Sequence, residues 1–202
     1  MAAPLRGRAH RPILPHMDPG RRHFKPAVAA LALLALAGAA AAEEARLDEL
    51  FDQLGRASSI DEGARIEGAL ARELMRTGSP ALDLLLRRGA DALQARDFPA
   101  AIEHLTALLD HAPDVAQAWN LRATAYYMTG AIGPALDDLG HALALEPRHY
   151  RALQGMAVLL EEMGDAPGAL VLWRAALAIA PMDADIGAAV RRLGLALDGT
   201  PL

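Results

Sequence analysis

Histidines are the residues of this sequence with the widest chemical range, and their spacing argues against a metal site. His104 and His111 lie seven residues apart in one predicted helix, about 10 Å along its axis at a rise of roughly 1.5 Å per residue. Ligands of one zinc ion lie about 2 Å from it, so this spacing is too long for the two residues to share a metal. We expect both histidines, together with His141 and His149, to lie at the surface.

Carboxylates occur in two adjacent pairs, Asp137 with Asp138 and Glu161 with Glu162. Neighbouring residues of a helix point in different directions, so these pairs indicate solvated helix faces. The sequence also contains no phosphate-binding glycine loop, nucleophile elbow or zinc-protease helix. Because no nucleophile stands beside a base, we expect a protein that is not an enzyme and that uses neither a cofactor nor a metal.

The elements that carry these residues follow a repeat of 34 residues, marked by Pro113, Pro147 and Pro181. The period divides the middle of the chain into three gap-free units, which are 82–115, 116–149 and 150–183. This is the length of a helix-turn-helix unit of a solenoid. A proline near the end of each unit stops the second helix.

Small residues keep the same register in the three units. Ala101, Ala135 and Ala169 recur in the second halves, where close contact between paired helices leaves room only for small side chains. Large apolar residues fill the facing positions, for example Trp119 and Trp173. We expect these aromatic rings to serve as filler between helices.

The turns inside the units carry their own signals. Gly130 and Gly164 stand where a first helix ends in the left-handed conformation, and Arg96 holds that position in the first unit. Pro99 and Pro167 suit the first turn of a second helix, where no backbone donor is missed.

This pattern resembles the tetratricopeptide repeat (TPR). The middle unit matches the signature of the family at Trp119, Tyr126, Gly130, Ala135, Ala142 and Pro147. The next unit matches it at Gly164, Ala169, Trp173, Ala176 and Pro181, and the first unit at Gly89, Ala101, Leu105 and Pro113. The resemblance covers 82–183 and implies an all-α fold, a right-handed superhelical solenoid of antiparallel helix pairs.

Both flanks of the repeats are predicted to be helical. Residues 43–81 indicate a helix pair, either a degenerate repeat or a cap, because four apolar residues share one helical face: Leu47, Leu50, Phe51 and Leu54. Residues 184–202 indicate a capping helix and a tail, since the open end of a solenoid needs a half-polar cover.

The resemblance also implies where a partner would bind. In the family, the first helices of successive repeats line a concave groove that holds a peptide or a partner helix. The groove positions of the second and third units are Gln117, Asn120, Thr124, Tyr127, Met128, Arg151, Gln154 and Val158. Tyr127 is interpreted either as an anchor beside the amides of Asn120 and Gln154 or as packing against the neighbouring first helix.

One ligand class of the family is not expected. Chaperone-binding members clamp a C-terminal carboxylate with lysines, arginine and asparagines, whereas Leu86 and Ala90 stand at the first two clamp positions here. The resemblance therefore implies a groove without this clamp.

Residues 1–42 predict an extension followed by an export signal. Basic residues at 21–25 precede an apolar stretch at 27–36 and small residues up to Ala42, the order of a secretory signal cleaved near Ala42. An anchor is less favoured because the stretch is shorter than the roughly 20 apolar residues that span a bilayer. Met1 and Met17 both remain as start residues, and a periplasmic location is predicted.

Charge and cysteine content argue against several classes of function and site. Removing residues 1–42 takes away 6 of 20 basic and 1 of 25 acidic residues, which leaves 14 against 24 and a net charge of −10. This excess of negative charge argues against nucleic-acid binding. The absence of cysteine excludes disulfides, thiolate metal ligands and a lipid-modified cysteine at the cleavage site.

The sequence therefore favours one function and leaves one alternative. The favoured one is a non-catalytic periplasmic adaptor that binds a protein or peptide partner in the concave TPR groove. The alternative is an accessory subunit that recruits substrate to an envelope protease or a cell-wall hydrolase. Neither involves nucleic acid or stable membrane insertion after cleavage.

Overall fold

A computed structural model describes residues 44–197 of the chain, and all regular secondary structure within that range is helical. The expected all-α repeat fold is confirmed. The predicted extension and signal lie outside the described residues. The helices are α1 (44–55), α2 (Ile60–Leu74), α3 (Pro80–Gln94), α4 (Phe98–Leu109), α5 (Ala116–Met128), α6 (Ile132–Leu145), α7 (Tyr150–Glu162), α8 (Ala166–Ile179) and α9 (Ala184–Leu197).

The turns inside the units have the predicted conformation. Gly130 and Gly164 end first helices with φ of 78° and 84°, and Arg96 adopts φ of 60° at the corresponding position. The side chain of Asp165 caps α8 by accepting a hydrogen bond from the Gly168 amide at 3.0 Å. These stops and starts produce three antiparallel pairs: α3 with α4, α5 with α6, and α7 with α8.

The pairs are held by close contact around small residues. Ala101, Ala135 and Ala169 have no exposed surface. A Cβ atom added at Gly89 would lie 2.6 Å from the Leu105 side chain, so only glycine fits there without movement of its neighbour. Larger side chains at these positions would therefore force the paired helices apart.

Helix α9 covers the end of the third unit. Ile186 and Leu193 are buried against the core that contains Trp173. Arg192 reaches back to Glu161 on α7, with a nitrogen–oxygen distance of 2.8 Å. The helix has an apolar inner face and a charged outer face, as an end cap requires.

The N-terminal pair folds back over the third unit. Phe51, Leu54 and Leu70 are buried in the same core cluster as Trp173 and Ile186. The turn between α1 and α2 therefore lies near the loop between α8 and α9, and an ideal Cβ at Gly63 would be 2.9 Å from the Cβ of Met182.

Helix α2 then crosses the face formed by the first helices. Glu67 pairs with Arg151 at the start of α7, and Met75, just after α2, packs with the cluster that contains Leu86 of α3. The groove expected from the sequence is thus partly covered by the chain itself.

Candidate functional site

The predicted groove residues divide into a covered half and an open half. Gln117, Asn120 and Arg151 belong to the covered half, because they line a crevice of about 300 Å³ together with α2 residues that include Glu67 and Leu74. Asn120 is only 8% exposed. These three side chains face a helix of their own chain.

Arg151 is engaged in several intramolecular contacts. Its guanidinium lies 3.0 Å from Glu67 and 3.8 Å from Asp183, and it stacks over the Tyr150 ring at 4.9 Å from the centroid. It also donates a hydrogen bond to Oε1 of Gln154 at 3.3 Å. Arg151, a predicted groove residue, therefore helps to hold α2 against α7.

Gln117 is positioned by His149, which sequence analysis expected at the surface. That expectation is wrong, because His149 is 1% exposed and its Nδ1 accepts a hydrogen bond from the Ala152 amide at 3.2 Å, capping α7. Burial lowers the pKa of His149 to about 4, so the ring is neutral at pH 7. With Nδ1 as acceptor, Nε2 carries the proton and donates to Oε1 of Gln117 at 2.8 Å.

The open half of the groove lies toward the ends of α5 and α7. Thr124 is exposed and donates its hydroxyl hydrogen to the Asn120 carbonyl at 3.0 Å, and Met128 is 48% exposed. Val158 is half-buried against the main core cluster. The open half therefore offers one polar and one flexible apolar side chain beside α7.

Tyr127 makes the contact with the neighbouring first helix that one of the two interpretations predicted, and its role as an anchor for a partner stays a prediction. Its ring packs in part against the cluster that contains Leu139, and its hydroxyl donates to Oε1 of Glu162 at 2.5 Å. This hydrogen bond raises the pKa of Tyr127, since ionisation would abolish the donor. The contact joins α5 to α7, while Asn120 lies in the covered half.

A buried ion pair in the second unit was missed by sequence analysis. Arg122 holds Asp138 through two hydrogen bonds of 2.8 and 2.9 Å, and a third guanidinium nitrogen donates to Thr106 Oγ1 at 3.0 Å. The Asp138 side chain is 6% exposed, so the expectation of a solvated face is wrong there. The repeat register could have predicted this ion pair, because Arg122 and Asp138 occupy facing positions on paired helices.

The aromatic residues Trp119 and Tyr126 pack around this ion pair. The Arg122 guanidinium lies 4.8 Å from the Trp119 ring centroid and 5.7 Å from that of Tyr126. Trp119 also stacks on His141 at 4.4 Å and donates its indole hydrogen to the Pro113 carbonyl at 2.8 Å. Every polar atom of the ion pair has a hydrogen-bond partner, so the pair stabilises the packing of α5 against α6.

Two further kinds of site can be judged from the described residues. Between residues 44 and 197, no group of three or more histidine, aspartate or glutamate side chains is arranged to hold a metal ion. In this part of the chain no helix has the length and apolar character needed to cross a bilayer.

Comparisons with known proteins concern both sequence and fold. No protein-family model matches the chain. A TPR repeat-containing protein of Rhizobium etli is 34% identical over 145 residues, which make up 72% of this chain and 71% of that protein. The Arabidopsis OM64 TPR domain superposes with a TM-score of 0.54 at 20% identity, covering 56% of this chain and 93% of that one.

Two further similar structures are those of TPR domains in complex with a peptide or with a partner protein. The first TPR domain of Spaghetti (RPAP3), bound to the HSP90 peptide SRMEEVD, has a TM-score of 0.55 at 19% identity, covering 58% of this chain and 94% of that one. The TPR2B domain of yeast Sti1, in a complex with pHsp70, has a TM-score of 0.53 at 20% identity, covering 57% and 98%. At these identities the likeness concerns the fold.

Proposed function

The chain belongs to the TPR family, and from this premise we propose that it is an exported, non-catalytic adaptor that binds a segment of a partner protein on its first-helix face. The observation that carries the proposal is that this face already accommodates a helix. Helix α2 rests there through Leu70 and through the ion pair between Glu67 and Arg151. A surface that holds one helix by apolar and charged contacts is suited to a second polypeptide segment.

The open half of the groove offers the contact points for such a segment. Met128 is 48% exposed, and Thr124 and Tyr127 lie beside it on α5. A flexible methionine adapts to varied apolar side chains, and a partly exposed tyrosine supplies a rigid ring with a polar end. We propose these three residues as the contacts nearest to a bound peptide.

The peptide class differs from that of the two structural neighbours. Those proteins bind an HSP90 peptide, SRMEEVD, and an Hsp70 partner. In this chain Leu86 is fully buried and Ala90 lacks a charged group, so the two leading clamp positions offer no cation to a terminal carboxylate. An acidic C-terminal peptide is therefore disfavoured as the ligand.

Export is part of the proposal and rests on the order of basic, apolar and small residues in 21–42. Mass spectrometry of the protein from a periplasmic extract is expected to find an amino terminus at Glu43. Recovery of an intact chain that includes Lys25 in the membrane fraction would contradict cleavage.

The adaptor role is tested by capture of a partner with variants on two faces. Tyr127→Ala is expected to weaken capture at least 10-fold, because binding energy concentrates in a few aromatic residues. Arg174→Ala changes an exposed residue of the outer helix α8 and is the matched control, expected to bind normally.

Two outcomes of the capture experiment are informative beyond affinity. Loss of capture by the α8 variant together with normal capture by Tyr127→Ala would overturn a partner site on the first helices. Recovery of one stoichiometric protease or cell-wall hydrolase would identify the chain as an accessory subunit that delivers substrate.

A further inference from the structure

A second recess lies between the N-terminal pair and the start of the second unit. Its volume is about 550 Å³, larger than that of the crevice over Gln117 and Asn120. It exists because α1 and the end of α2 bridge over the loop between α4 and α5. The apolar side chains that line it come from five elements: Leu47, Leu74, Leu82, Val115 and Leu145.

The apolar lining is incompletely buried. Leu145, the last residue of α6, is 44% exposed, and the other four aliphatic side chains are half-buried. A single exposed leucine is common on protein surfaces. Five aliphatic residues around one recess of this size provide a place in which a large apolar side chain of a partner loses its contact with water.

The rim of this recess is predominantly acidic. Four carboxylates, those of Glu44, Glu73, Asp114 and Glu146, line it together with one guanidinium, that of Arg76. Glu73 is compensated by Arg46 at 3.1 Å and by Arg76 at 3.7 Å, and Glu146 by Arg148 at 3.3 Å.

Asp114 forms no ion pair with any described residue, so the rim keeps an excess of negative charge. The region 43–202 carries a net charge of −10, which reinforces the field at the rim.

We propose that this recess binds a basic amphipathic segment of a partner protein. A large apolar side chain of the segment occupies the space among Leu82, Val115 and Leu145, and flanking lysine or arginine residues lie near Asp114. The inference rests on the proposed adaptor function and gives the partner a chemistry, apolar and cationic. The recess is a second contact surface for the partner, in addition to the open half of the groove.

The test uses two synthetic twelve-residue peptides with leucine at every third or fourth position. One has lysine at the remaining positions and the other has glutamate. Each peptide is labelled with fluorescein and titrated with the protein. The protein is purified from the cells that express it, without further processing. Fluorescence anisotropy is expected to detect binding of the lysine peptide, weakened at least 10-fold between low and high salt, and no binding of the glutamate peptide.

A matched pair of substitutions locates the bound peptide. Leu145→Gln and Leu195→Gln each replace an exposed leucine, with exposed fractions of 44% and 76%, by a polar side chain of similar size. Leu145→Gln is expected to weaken lysine-peptide binding about 10-fold, because the recess loses an apolar wall. Leu195→Gln on α9, outside the recess lining, is expected to leave the affinity unchanged.

Cross-linking provides a second readout that does not depend on affinity. The sequence contains no cysteine, so Leu145→Cys and Leu195→Cys each create a single attachment point for a benzophenone label. The lysine peptide is expected to cross-link to the label at 145 and not to the label at 195.

The outcomes separate this inference from the function on which it rests. Normal binding of the lysine peptide by Leu145→Gln would overturn the recess and retain an adaptor that uses the open groove. Equal binding of the two peptides, or of neither, would overturn the cationic chemistry, and partner capture would then test the adaptor role separately. A concentration-dependent dimer that Leu145→Gln abolishes would assign the recess to a second copy of the chain and overturn a foreign partner.

Discussion

The second and third units join their equivalent helix pairs by different contacts, one by an ion pair and the other by apolar side chains. In the second unit, Arg122 and Asp138 form a buried ion pair between α5 and α6. At the positions 34 residues later, the third unit has Met156 and Leu172, which pack against apolar clusters. The backbone arrangement therefore does not require the charges, and their energetic cost appears when one of them loses its partner.

The largest expected effect comes from breaking the ion pair on one side. Asp138→Ala leaves the Arg122 guanidinium, whose side chain is 13% exposed, without its carboxylate. We expect a loss of roughly 3–5 kcal/mol in the free energy of unfolding, measured by urea denaturation.

The control for this prediction copies the third unit into the second. Arg122→Met combined with Asp138→Leu is expected to lie within about 1 kcal/mol of the wild type, because neither residue is then left charged and unpaired. A double variant as unstable as Asp138→Ala would show that the two units are not interchangeable at this interface.

The helix caps of the two units differ in their response to pH. His149 caps α7, whereas Val115 precedes α5 at the equivalent position and makes no side-chain cap. Because burial lowers the pKa of folded His149 to about 4 from 6.5, the unfolded chain binds more protons between these values. Its contribution to stability is therefore present above pH 6.5 and is lost as the pH falls toward about 4.

The loss amounts to about 3–4 kcal/mol at most, from roughly 1.4 kcal/mol per pKa unit. His149→Asn keeps a capping side chain without a group that titrates in this range, so its unfolding free energy is expected to depend less on pH. His111→Asn at an exposed position is the control. A pH profile of His149→Asn that parallels the wild type would contradict the assignment of this dependence to the cap.

Overpacking is expected to affect both units alike. Ala135 and Ala169 have equivalent positions and no exposed surface, so Ala135→Leu and Ala169→Leu are each expected to cost about 1–3 kcal/mol. The thermal transition of either variant should also broaden as one unit uncouples from its neighbours. Ala131→Leu, at the half-buried start of α6, is the mild control, and equal melting temperatures for all three would contradict the register.

The smallest effect concerns the turn that differs in the first unit. Arg96 has φ of 60°, where the second and third units have Gly130 and Gly164. A left-handed conformation costs a non-glycine residue about 1–2 kcal/mol, and glycine loses about 0.5–1 kcal/mol more entropy on folding. Arg96→Gly is therefore expected to stabilise by about 0.5 kcal/mol, and Gly130→Arg to destabilise by a similar amount in a urea melt.

Local features of the fold were predictable from sequence because short-range rules determine them. The left-handed glycines and the prolines in first turns follow from backbone geometry alone. The repeat register also predicted the buried alanines, since close helix contact excludes larger side chains. The solenoid order of α3 to α8 followed from these local features.

Long-range features of the candidate site were not predictable in the same way. The apolar face with Phe51 and Leu54 predicts that α1 is buried, but it does not identify the surface that buries it. The docking against the third unit depends on pairs far apart in sequence, such as Arg151 with Glu67. His149 was misjudged because its burial requires both a cap and the Gln117 side chain.

The docking of the N-terminal pair against the third unit creates both the covered half of the groove and the recess behind α2. Gly63→Cys with Met182→Cys tests it directly, because a Cβ atom built on Gly63 would lie 2.9 Å from the Cβ of Met182, and a small shift brings the pair to the roughly 3.5–4.5 Å of disulfides. In this cysteine-free chain, mild oxidation is expected to yield one intramolecular disulfide, detected by intact mass and thiol titration, whereas Gly68→Cys with Met182→Cys remains reduced. Two free thiols in the 63/182 variant after oxidation would contradict the docked arrangement.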